Sequence, residues 1–409
     1  MPTLSEKLQA LGVQIGARNL PPPASKPAAD YPIELVVSGE FWPTPHGPIF
    51  VAETRYLPAY RHGSAGLWLE TVLERLAAWA NEPRLARVEL ETFAFVDTET
   101  SGMAGGTGTY PFLIGAGRFE GDVFRLAQFF TRDPGEEPAQ LAALAEFLAP
   151  CQVLVTFNGK AFDAPLIDTR YTLAGWESPL PALAHLDLLP LARRLWRDRL
   201  PSRRLIHLEL DILGFERTGD DVPGFLIPQM YFNYLRDGDA RPLKGIFYHN
   251  AMDIVAMAAL LNHVSQLLAD PMGTVEHALD LVAIGKLCEE LGQTEQAVAL
   301  YGQGLTRNDL PEAHYWQTQR QLSFLHKRCG NLAAAVEVWE LAAEGRQIYA
   351  HVELAKFYEH HRRDYQTALH WAKTGLELLD AGHTPRAERL AWLKDLKHRL
   401  NRLQKKVVS

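Results

Sequence analysis

Two carboxylates at the end of an apolar run are the residues of this sequence most suited to chemistry. Residues 93–96 are apolar and of strand type, and Asp97 and Glu99 follow directly. Residues two apart in a strand point to the same side, so these side chains should project together. Paired carboxylates repel unless a cation lies between them, and oxygen ligands suit Mg²⁺ or Mn²⁺. The pattern indicates a divalent-metal site; the alternative is a strand ending in a turn with solvated acids.

Two further acids follow the same logic. Asp163 comes just after a second apolar run at 153–157. Because sites of α/β proteins gather at strand ends, we expect Asp163 to join the first pair, to cap the helix that follows it, or both. Asp253 lies four residues after His249, on one face of a predicted helix over 248–268. This spacing suits a metal ligand beside a proton-transfer group, although an isolated pair is also a common surface feature.

A basic run follows the segment 185–192, where we predict the start of a helix. Its arginines are Arg193, Arg194, Arg197, Arg199, Arg203 and Arg204. Arginine binds phosphate oxygens well, and a chain of net charge −8 needs a local basic surface to hold nucleic acid. We therefore predict Arg193 and Arg194 as contacts to a nucleic-acid backbone, with a solvated helix face as the alternative.

Length and composition set the frame for these residues. The chain has 409 residues, of which 47% are hydrophobic and 22% charged, and this predicts two or more domains with their own cores. The three cysteines lie far apart, which favours a reducing compartment over a disulfide framework. The N-terminus lacks the apolar core of a signal peptide, and no segment is expected to span a membrane. We expect a cytoplasmic protein.

The N-terminal part should form an extension in front of the site. Residues 1–30 are rich in proline and predict a flexible tether. A β-hairpin is predicted from strands near 33–37 and 48–52, which turn-forming residues separate. A helix is predicted over 65–80, because apolar residues recur there at helical spacing.

The central part predicts a mixed β-sheet flanked by helices. The strand of Asp97 leads through a glycine-rich loop, which lacks the pattern of a dinucleotide or phosphate-binding loop and could let a substrate approach. Strands are predicted at 110–119 and 123–130, a helix at 138–148 and a strand at 153–157, and a later helix at 205–213 ends at Gly214. Three strands joined by short loops and then a crossover indicate an α/β sheet of mixed direction.

The region after Pro271 turns helical and carries a loose repeat. Gly292, Gly330 and Arg363 open three similar stretches, 38 and 33 residues apart (330 − 292 and 363 − 330). This spacing is close to the roughly 34-residue period of tetratricopeptide repeats. We predict an all-α tetratricopeptide-like solenoid over 274–409, with a concave surface for a possible protein partner.

Taken in order, the four acids and their surroundings resemble the DEDD 3′–5′ exonucleases, which have a ribonuclease H-like fold. Within that group the chain is similar to YprB-type ribonuclease H-like proteins. The resemblance is carried by residues 96–102 (VDTETSG), 156–167 (TFNGKAFDAPLI), 249–254 (HNAMDI) and the link 221–228 (DVPGFLIP). It covers about residues 33–267 and implies a ribonuclease H-like exonuclease domain over 31–268, acting on DNA or RNA.

The resemblance also implies a set of roles. Two divalent ions, Mg²⁺ or Mn²⁺, would be held by the four acids, one activating a water and the other stabilising the leaving 3′ oxygen. By position, Asp97 would bridge the ions, and Glu99, Asp163 and Asp253 would complete their shells. His249 would help to take the proton from the attacking water, because imidazole titrates near neutrality.

The chain departs from the family at the base. One known pattern has His five residues before the last Asp and the other has Tyr four before, whereas this chain has Tyr248 and His249 at those positions. We favour His249 and keep Tyr248 as the alternative. The segments that carry the resemblance also supply Thr100, Asn158 and Phe162 as predicted substrate contacts.

Two other functions are compatible with the sequence. The first is a non-catalytic module that binds nucleic acid or a protein partner, toward which the acidic net charge leans. The second is an endonuclease for structured nucleic acids on the same fold. Four acids at motif positions favour the exonuclease, because a site without activity has little reason to keep them.

Overall fold

A computed structural model of the protein describes residues 31–102, 108–380 and 386–408. The predicted tether at 1–30 and the middle of the glycine-rich loop lie outside these residues. A seven-stranded mixed sheet forms the centre. In spatial order its strands are β1 (Glu40–Thr44), β2 (Gly47–Tyr56), β7 (Val123–Phe130), β6 (Pro111–Glu120), β5 (Phe93–Thr100), β8 (Val153–Thr156) and β9 (Ala184–Asp187).

The direction of the strands fixes where the acids lie. β5 runs antiparallel to β6 and parallel to β8, which in turn runs parallel to β9. The parallel strands therefore end at the same edge of the sheet, where Asp97 and Glu99 close β5 and the segment leading to Asp163 leaves β8. This sheet, with helices on both faces, confirms the predicted fold class.

Helices flank the sheet, and a small two-stranded sheet, β3 (Arg61–His62) with β4 (Ala65–Gly66), follows β2 in the chain. The helices up to residue 274 are α1 (Ile33–Val36), α2 (Glu74–Ala80), α3 (Glu137–Leu148), α4 (Asp163–Leu173), α5 (Leu188–Trp196), α6 (Leu205–Leu208), α7 (Ile227–Asp237), α8 (Leu243–Ala269) and α9 (Pro271–Thr274). A π-helical turn, Glu209–Leu213, continues α6 and ends at Gly214 in the left-handed conformation, as predicted.

Three local predictions were wrong. The first hairpin strand lies at Glu40–Thr44, because residues 33–36 close a helical turn in which the Val37 N–H donates to the Ile33 carbonyl at 2.8 Å. The predicted helix over 65–80 forms only from Glu74, since α8 binds the preceding backbone. Asn262 of α8 donates to the Gly66 carbonyl at 3.1 Å and accepts from the Glu70 N–H at 3.2 Å. Residues 184–187 form a strand, and the helix predicted there starts later, at Leu188.

Close packing of α8 against β6 depends on two glycines. A Cβ atom at Gly115 would lie 2.2 Å from Oδ1 of Asn250. A Cβ atom at Gly117 would lie 2.7 Å from Ile254 and 2.5 Å from the Phe124 ring. Only glycine allows this separation, so these two positions set how near α8 comes to the sheet.

The longest helix, α8, corrects the expectation about membrane spans. Its 27 residues are long and apolar enough to cross a membrane, yet 78% of its most apolar stretch is buried inside the protein. Ile254, Val255 and Leu261 of α8 lie in the same buried cluster as Phe95 of the sheet. The helix therefore serves as a core helix of this fold.

The region after residue 277 is helical, as predicted. Its helices are α10 (Ala278–Glu290), α11 (Thr294–Leu305), α12 (Glu312–Arg328), α13 (Leu332–Glu344), α14 (Ile348–Phe357), α15 (Tyr365–Asp380) and α16 (Arg386–Val408). The residues that opened the sequence repeat, Gly292, Gly330 and Arg363, all lie in inter-helix turns with φ of 74°, 78° and 55°. The repeat thus marks recurring left-handed helix ends; its tetratricopeptide character stays a prediction.

The helical region shares a core with the sheet. Leu287, Cys288 and Tyr301 belong to the buried cluster that contains Phe95 of β5 and Leu186 of β9. Ion pairs reinforce this packing, as Arg199 donates to Asp280 at 2.9 Å. The first two helices after residue 277, α10 and α11, therefore pack against the domain that carries the acids.

Gly117→Ala should lower the free energy of unfolding by about 1–3 kcal/mol, because the added methyl group overpacks against Ile254 and Phe124. Urea denaturation measures the change. The matched control is Gly219→Ala, whose Cβ would meet nothing within 4 Å and should change stability by less than about 0.5 kcal/mol. Equal stability of the two variants would contradict the packing described for α8.

Candidate active site

Helix α8 and the end of β5 bring the first residues of the site together. Phe93 and Phe95 of β5 lie in the buried cluster beneath α8, so Asp97 and Glu99 continue on that same side of the strand. Asn250 of α8 donates from Nδ2 to Oδ2 of Asp97 at 3.0 Å. Its Oδ1 accepts from Gln128 at 2.9 Å, which fixes the amide. The close approach of α8 thus orients Asp97 directly.

Asp163 reaches the same edge from the other face of the sheet. Its helix, α4, packs through Ala164 and Ile167 into the cluster beneath Val96. The Thr98 hydroxyl donates to Oδ1 of Asp163 at 2.5 Å. Burial raises the pKa of Asp163 to about 6, against the opposing effect of the Thr98 hydrogen bond. Asp163 opens α4 as its first residue without capping it, so the capping role is not realised.

The four predicted acids are electrostatic neighbours. Burial raises the pKa of Asp97 well above its usual range, and the charges of Asp253, Asp163 and Glu99 add to the effect. Burial, followed by the charges of Asp253 and Asp163, likewise raises the pKa of Glu99. Buried carboxylates that disfavour each other's charged form attract any cation that reaches them.

Arg217 is a cation that this cluster already contains, and no pattern in the sequence indicates a role for it. Its side chain is 3% exposed. The guanidinium donates to Asp253 and to Glu209, the latter from Nε at 2.8 Å, and lies 3.6 Å from Asp221. Although burial alone would lower it, the charges of Asp253 and Glu209 raise the pKa of Arg217. Glu209 is itself fully buried and pairs with the buried His62 at 2.9 Å.

His249 is placed for proton transfer more directly than Tyr248. Nδ1 of His249 lies 2.7 Å from Oδ1 of Asp221, and Nε2 lies 3.6 Å from Oδ2 of Asp253. His249 and Asp253 line a cavity of 480 Å³. The Tyr248 hydroxyl instead accepts a hydrogen bond from the Thr218 N–H at 3.1 Å, and its ring packs against the core.

The residues predicted to touch substrate are placed unevenly. Thr100 ends β5 next to a register shift and donates to the Gly102 carbonyl at 2.8 Å. Asn158 has a left-handed backbone with φ of 69°, and its N–H donates to the buried Asp187 at 2.7 Å. Asp187 also accepts from the Lys160 N–H, which anchors the loop before Asp163. Phe162 is 62% exposed beside Asp163.

The two arginines predicted to contact a nucleic-acid backbone, Arg193 and Arg194, lie in different environments. Arg193 is exposed and lines a cavity of 410 Å³ together with Asn158. Arg194 lies 2.7 Å from Glu290 of α10, so it joins the sheet domain to the helical region and is not brought to that cavity.

Several functional candidates escaped sequence reasoning. Asp221 and Asn250 lie inside the motif segments, next to residues that were assigned, and could have been found there. No local sequence pattern marks Glu209, Arg217 or His62. They lie in a π-helical turn, a loop and a β-strand, respectively, and only the tertiary fold brings these three elements together. Asp187 was hidden because its strand was taken for a helix.

The four acids suit a metal ion by their chemistry more than by their present geometry. Among the described residues, no group of three or more His, Cys, Asp or Glu side chains is arranged to hold a metal ion. Asp97, Asp163 and Asp253 are instead turned toward Asn250, Thr98 and Arg217. The donor set nevertheless fits a hard divalent cation, because it offers the buried carboxylate of Glu99 and the half-buried carboxylates of Asp97, Asp163 and Asp253 close together. A bound ion would compete with Arg217 for Asp253, whereas Asn250 and Thr98 each engage one oxygen of a carboxylate.

Comparisons with known proteins agree with the fold described above. A family model described as RNase_H superfamily matches residues 94–265, a range that contains all four acids. The uncharacterized protein YprB of Bacillus subtilis (strain 168) is 32% identical over 340 residues, which cover 80% of this chain and 80% of the relative. The chain belongs to the YprB family. Its sheet and flanking helices are therefore the ribonuclease H-like part of a YprB-family protein, and the name of the relative assigns no activity.

A solved structure also aligns with this YprB-family chain. It is the family B DNA polymerase from the hyperthermophilic archaeon Pyrobaculum calidifontis, with a TM-score of 0.34 and 15% identity. The alignment covers 52% of this chain and 29% of the polymerase. The chain thus spans less than a third of that protein, and the alignment carries no weight for function.

Arg217→Met should lower the free energy of unfolding by about 3–5 kcal/mol, because it removes a buried cation that two acids share. Glu209 would keep only His62 as a partner, and Asp253 would lose its ion pair with arginine. Chemical denaturation of the metal-free protein measures the loss. Arg55→Met is the control, since Arg55 is 66% exposed and lies 3.5 Å from Glu53, and it should cost less than about 1 kcal/mol. A loss for Arg217→Met as small as that of the control would show that the buried pairs are unimportant.

Proposed function

We propose that this protein is a divalent-metal-dependent 3′–5′ exonuclease that hydrolyses phosphodiester bonds of DNA or RNA. Membership of the ribonuclease H superfamily supports nuclease activity on a nucleic acid. The observation that carries the proposal is the convergence of four acids at one sheet edge, beside a cavity lined by His249 and Asp253. In this proposal the phosphodiester bond is hydrolysed at the sheet edge that carries the four negatively charged side chains.

In this proposal the four carboxylates hold the metal. Asp97 would be the central member of this ligand set, because the charges of Asp253, Asp163 and Glu99 all act on it. Bound Mg²⁺ or Mn²⁺ ions would supply an activated water and stabilise the leaving oxygen. Asn250 orients Asp97 through its amide, and Thr98 orients Asp163. These hydrogen bonds pre-position the carboxylates, so little ordering is left for the moment of binding.

His249 is the proposed acceptor of the proton from water. Asp221 faces Nδ1 at 2.7 Å, which favours the tautomer with the proton on that nitrogen and leaves Nε2 as the base. Nε2 points toward Asp253, 3.6 Å away, in the same cavity. A carboxylate behind a histidine also stabilises the imidazolium that forms on proton transfer. Tyr248 is less suited, because its hydroxyl is engaged by the Thr218 N–H.

A second function, a non-catalytic nucleic-acid-binding or protein-binding module, is favoured by one observation. Arg217 already neutralises Asp253, as expected of a site that works without metal. Under the exonuclease proposal Arg217 must release Asp253 when an ion binds. It can do so without becoming an unpaired buried charge, because Glu209 retains two of its donors.

The test is digestion of 5′-labelled single-stranded DNA and RNA with Mn²⁺, comparing the wild type with Asp97→Asn. The wild type should give a ladder that shortens from the 3′ end, and the variant should lose more than about 100-fold in rate because it removes a metal ligand. Asp122→Asn, an exposed acid at the turn between β6 and β7, should leave the ladder unchanged.

The products separate the three functions. A few discrete internal cuts that depend on Asp97 would identify an endonuclease. The absence of cleavage by a folded wild-type protein would contradict the exonuclease and support the binding module. Comparison of the two labelled strands names the preferred sugar.

A further inference from the structure

The basic run of the sequence divides into two sets of three arginines. In one set each guanidinium faces an acid: Arg194 with Glu290 at 2.7 Å, Arg199 with Asp280 at 2.9 Å and Arg197 with Asp198 at 3.5 Å. The other set is Arg193, Arg203 and Arg204, and all three line the same cavity of 410 Å³. The helix and loop therefore sort their cations into structural pairs and one basic cavity.

The basic cavity has no acid among its lining residues, which are completed by Phe157, Asn158, Leu189 and Leu205. Within the described part of the chain, Arg193, Arg203 and Arg204 form no ion pair with a carboxylate. Among the described residues, the side chain of Arg203 donates to the Leu200 carbonyl at 2.8 Å, and the side chains of Arg193 and Arg204 make no hydrogen bond. The three are therefore cations without a carboxylate partner in a protein with 49 acidic and 41 basic residues. Three neighbouring guanidinium groups repel one another, so an anion in the cavity would lower their energy.

The basic cavity adjoins the cavity of the candidate active site. Arg204 and Leu205 line both, and the second is also lined by Arg217, His249 and Asp253. A chain-like anion can therefore contact His249 and Asp253 at one end and the three arginines at the other. A small isolated anion would use only one of the two cavities.

One wall of the basic cavity is held rigidly. Asn158 keeps its left-handed backbone while its N–H donates to Asp187, and the same carboxylate caps α5 through the Leu189 N–H at 3.0 Å. Asp187 thereby ties the loop of Asn158 to the helix of Arg193. The wall made by Asn158 and Arg193 is thus fixed by one buried group.

We propose that Arg193, Arg203 and Arg204 form a binding site for the phosphates of a polynucleotide strand, on the 5′ side of the bond that is cut. The inference rests on the proposed function, because a 3′ end held at the acids leaves the rest of the strand to follow the adjoining cavity. Guanidinium groups bind phosphate oxygens with two parallel hydrogen bonds, so three of them suit consecutive phosphates better than a single anion.

Binding without catalysis tests the site. The parent is the Asp97→Asn chain without added metal, and the probe is a 5′-fluorescein single-stranded 20-nucleotide oligothymidylate, followed by fluorescence anisotropy across KCl concentrations. Each phosphate contact contributes about 0.7 to the slope of log K against log salt for single strands. Replacing Arg193, Arg203 and Arg204 by Gln should make the slope shallower by about 2, which is about 100-fold in affinity at 0.1 M salt.

Arg197→Gln in the same parent is the control, because Arg197 is exposed in the same run but faces Asp198. It should leave affinity and slope close to those of the parent. Thermal melting of each variant verifies that the fold is intact. An unchanged slope in the triple variant, an equal loss in the control, or no binding by the parent would overturn the proposal.

Kinetics on the chain with Asp97 intact separates this site from the activity itself. The triple variant should raise KM for the same oligonucleotide more than it lowers kcat, since the arginines hold substrate and transition state alike. Degradation with unchanged KM would overturn the basic cavity while leaving the exonuclease in place. Arginine-dependent binding without any degradation would support the cavity and contradict the exonuclease.

Discussion

Close contact between one buried helix and two glycines of the sheet governs how this site is built. Gly115 and Gly117 leave no side chain between β6 and α8, so Asn250 and Asp253 come down onto the end of β5. A methyl group at either position would enter space that Asn250, Ile254 or Phe124 occupies. An added Cβ at either glycine would lie closer than 3.0 Å to these neighbours, so a side chain there would force helix and sheet apart. The hydrogen bond from Asn250 to Asp97 depends on this close contact.

The same contact buries more negative charge than the local hydrogen bonds can compensate. Asn250 and Thr98 serve Asp97 and Asp163, but neither brings a positive charge. Arg217 supplies one, and it is shared among Asp253, Glu209 and Asp221. The cluster therefore stays electrostatically costly in its metal-free form, which is the physical reason to expect that divalent cations bind to it.

Local patterns predicted part of this arrangement, and tertiary contacts decided the rest. The strands that carry the acids and the apolar helix of Asp253 were predictable, because the spacing of their apolar residues indicates which type of element each one forms. The segment 65–80 was not, since the backbone of its first half exchanges hydrogen bonds with the side chain of Asn262 in α8. The set of Arg217, Glu209 and His62 was also unpredictable, because none of the three lies in a motif. Within the basic run, composition could not distinguish the role of Arg193 from that of Arg194. The structure distinguishes them, because Glu290 of α10 pairs with Arg194.

The central claim is that the four acids form one centre for two divalent ions, and electron paramagnetic resonance with Mn²⁺ tests it most directly. Titration of the metal-free protein should remove the six-line signal of free Mn²⁺ up to two ions per chain. The bound ions should show magnetic coupling, since paired metals in such centres lie about 3.5–4 Å apart. Asp253→Asn should lose both the second equivalent and the coupling. A free Mn²⁺ signal that persists from the first addition, or a single uncoupled ion that is insensitive to Asp253, would contradict the account.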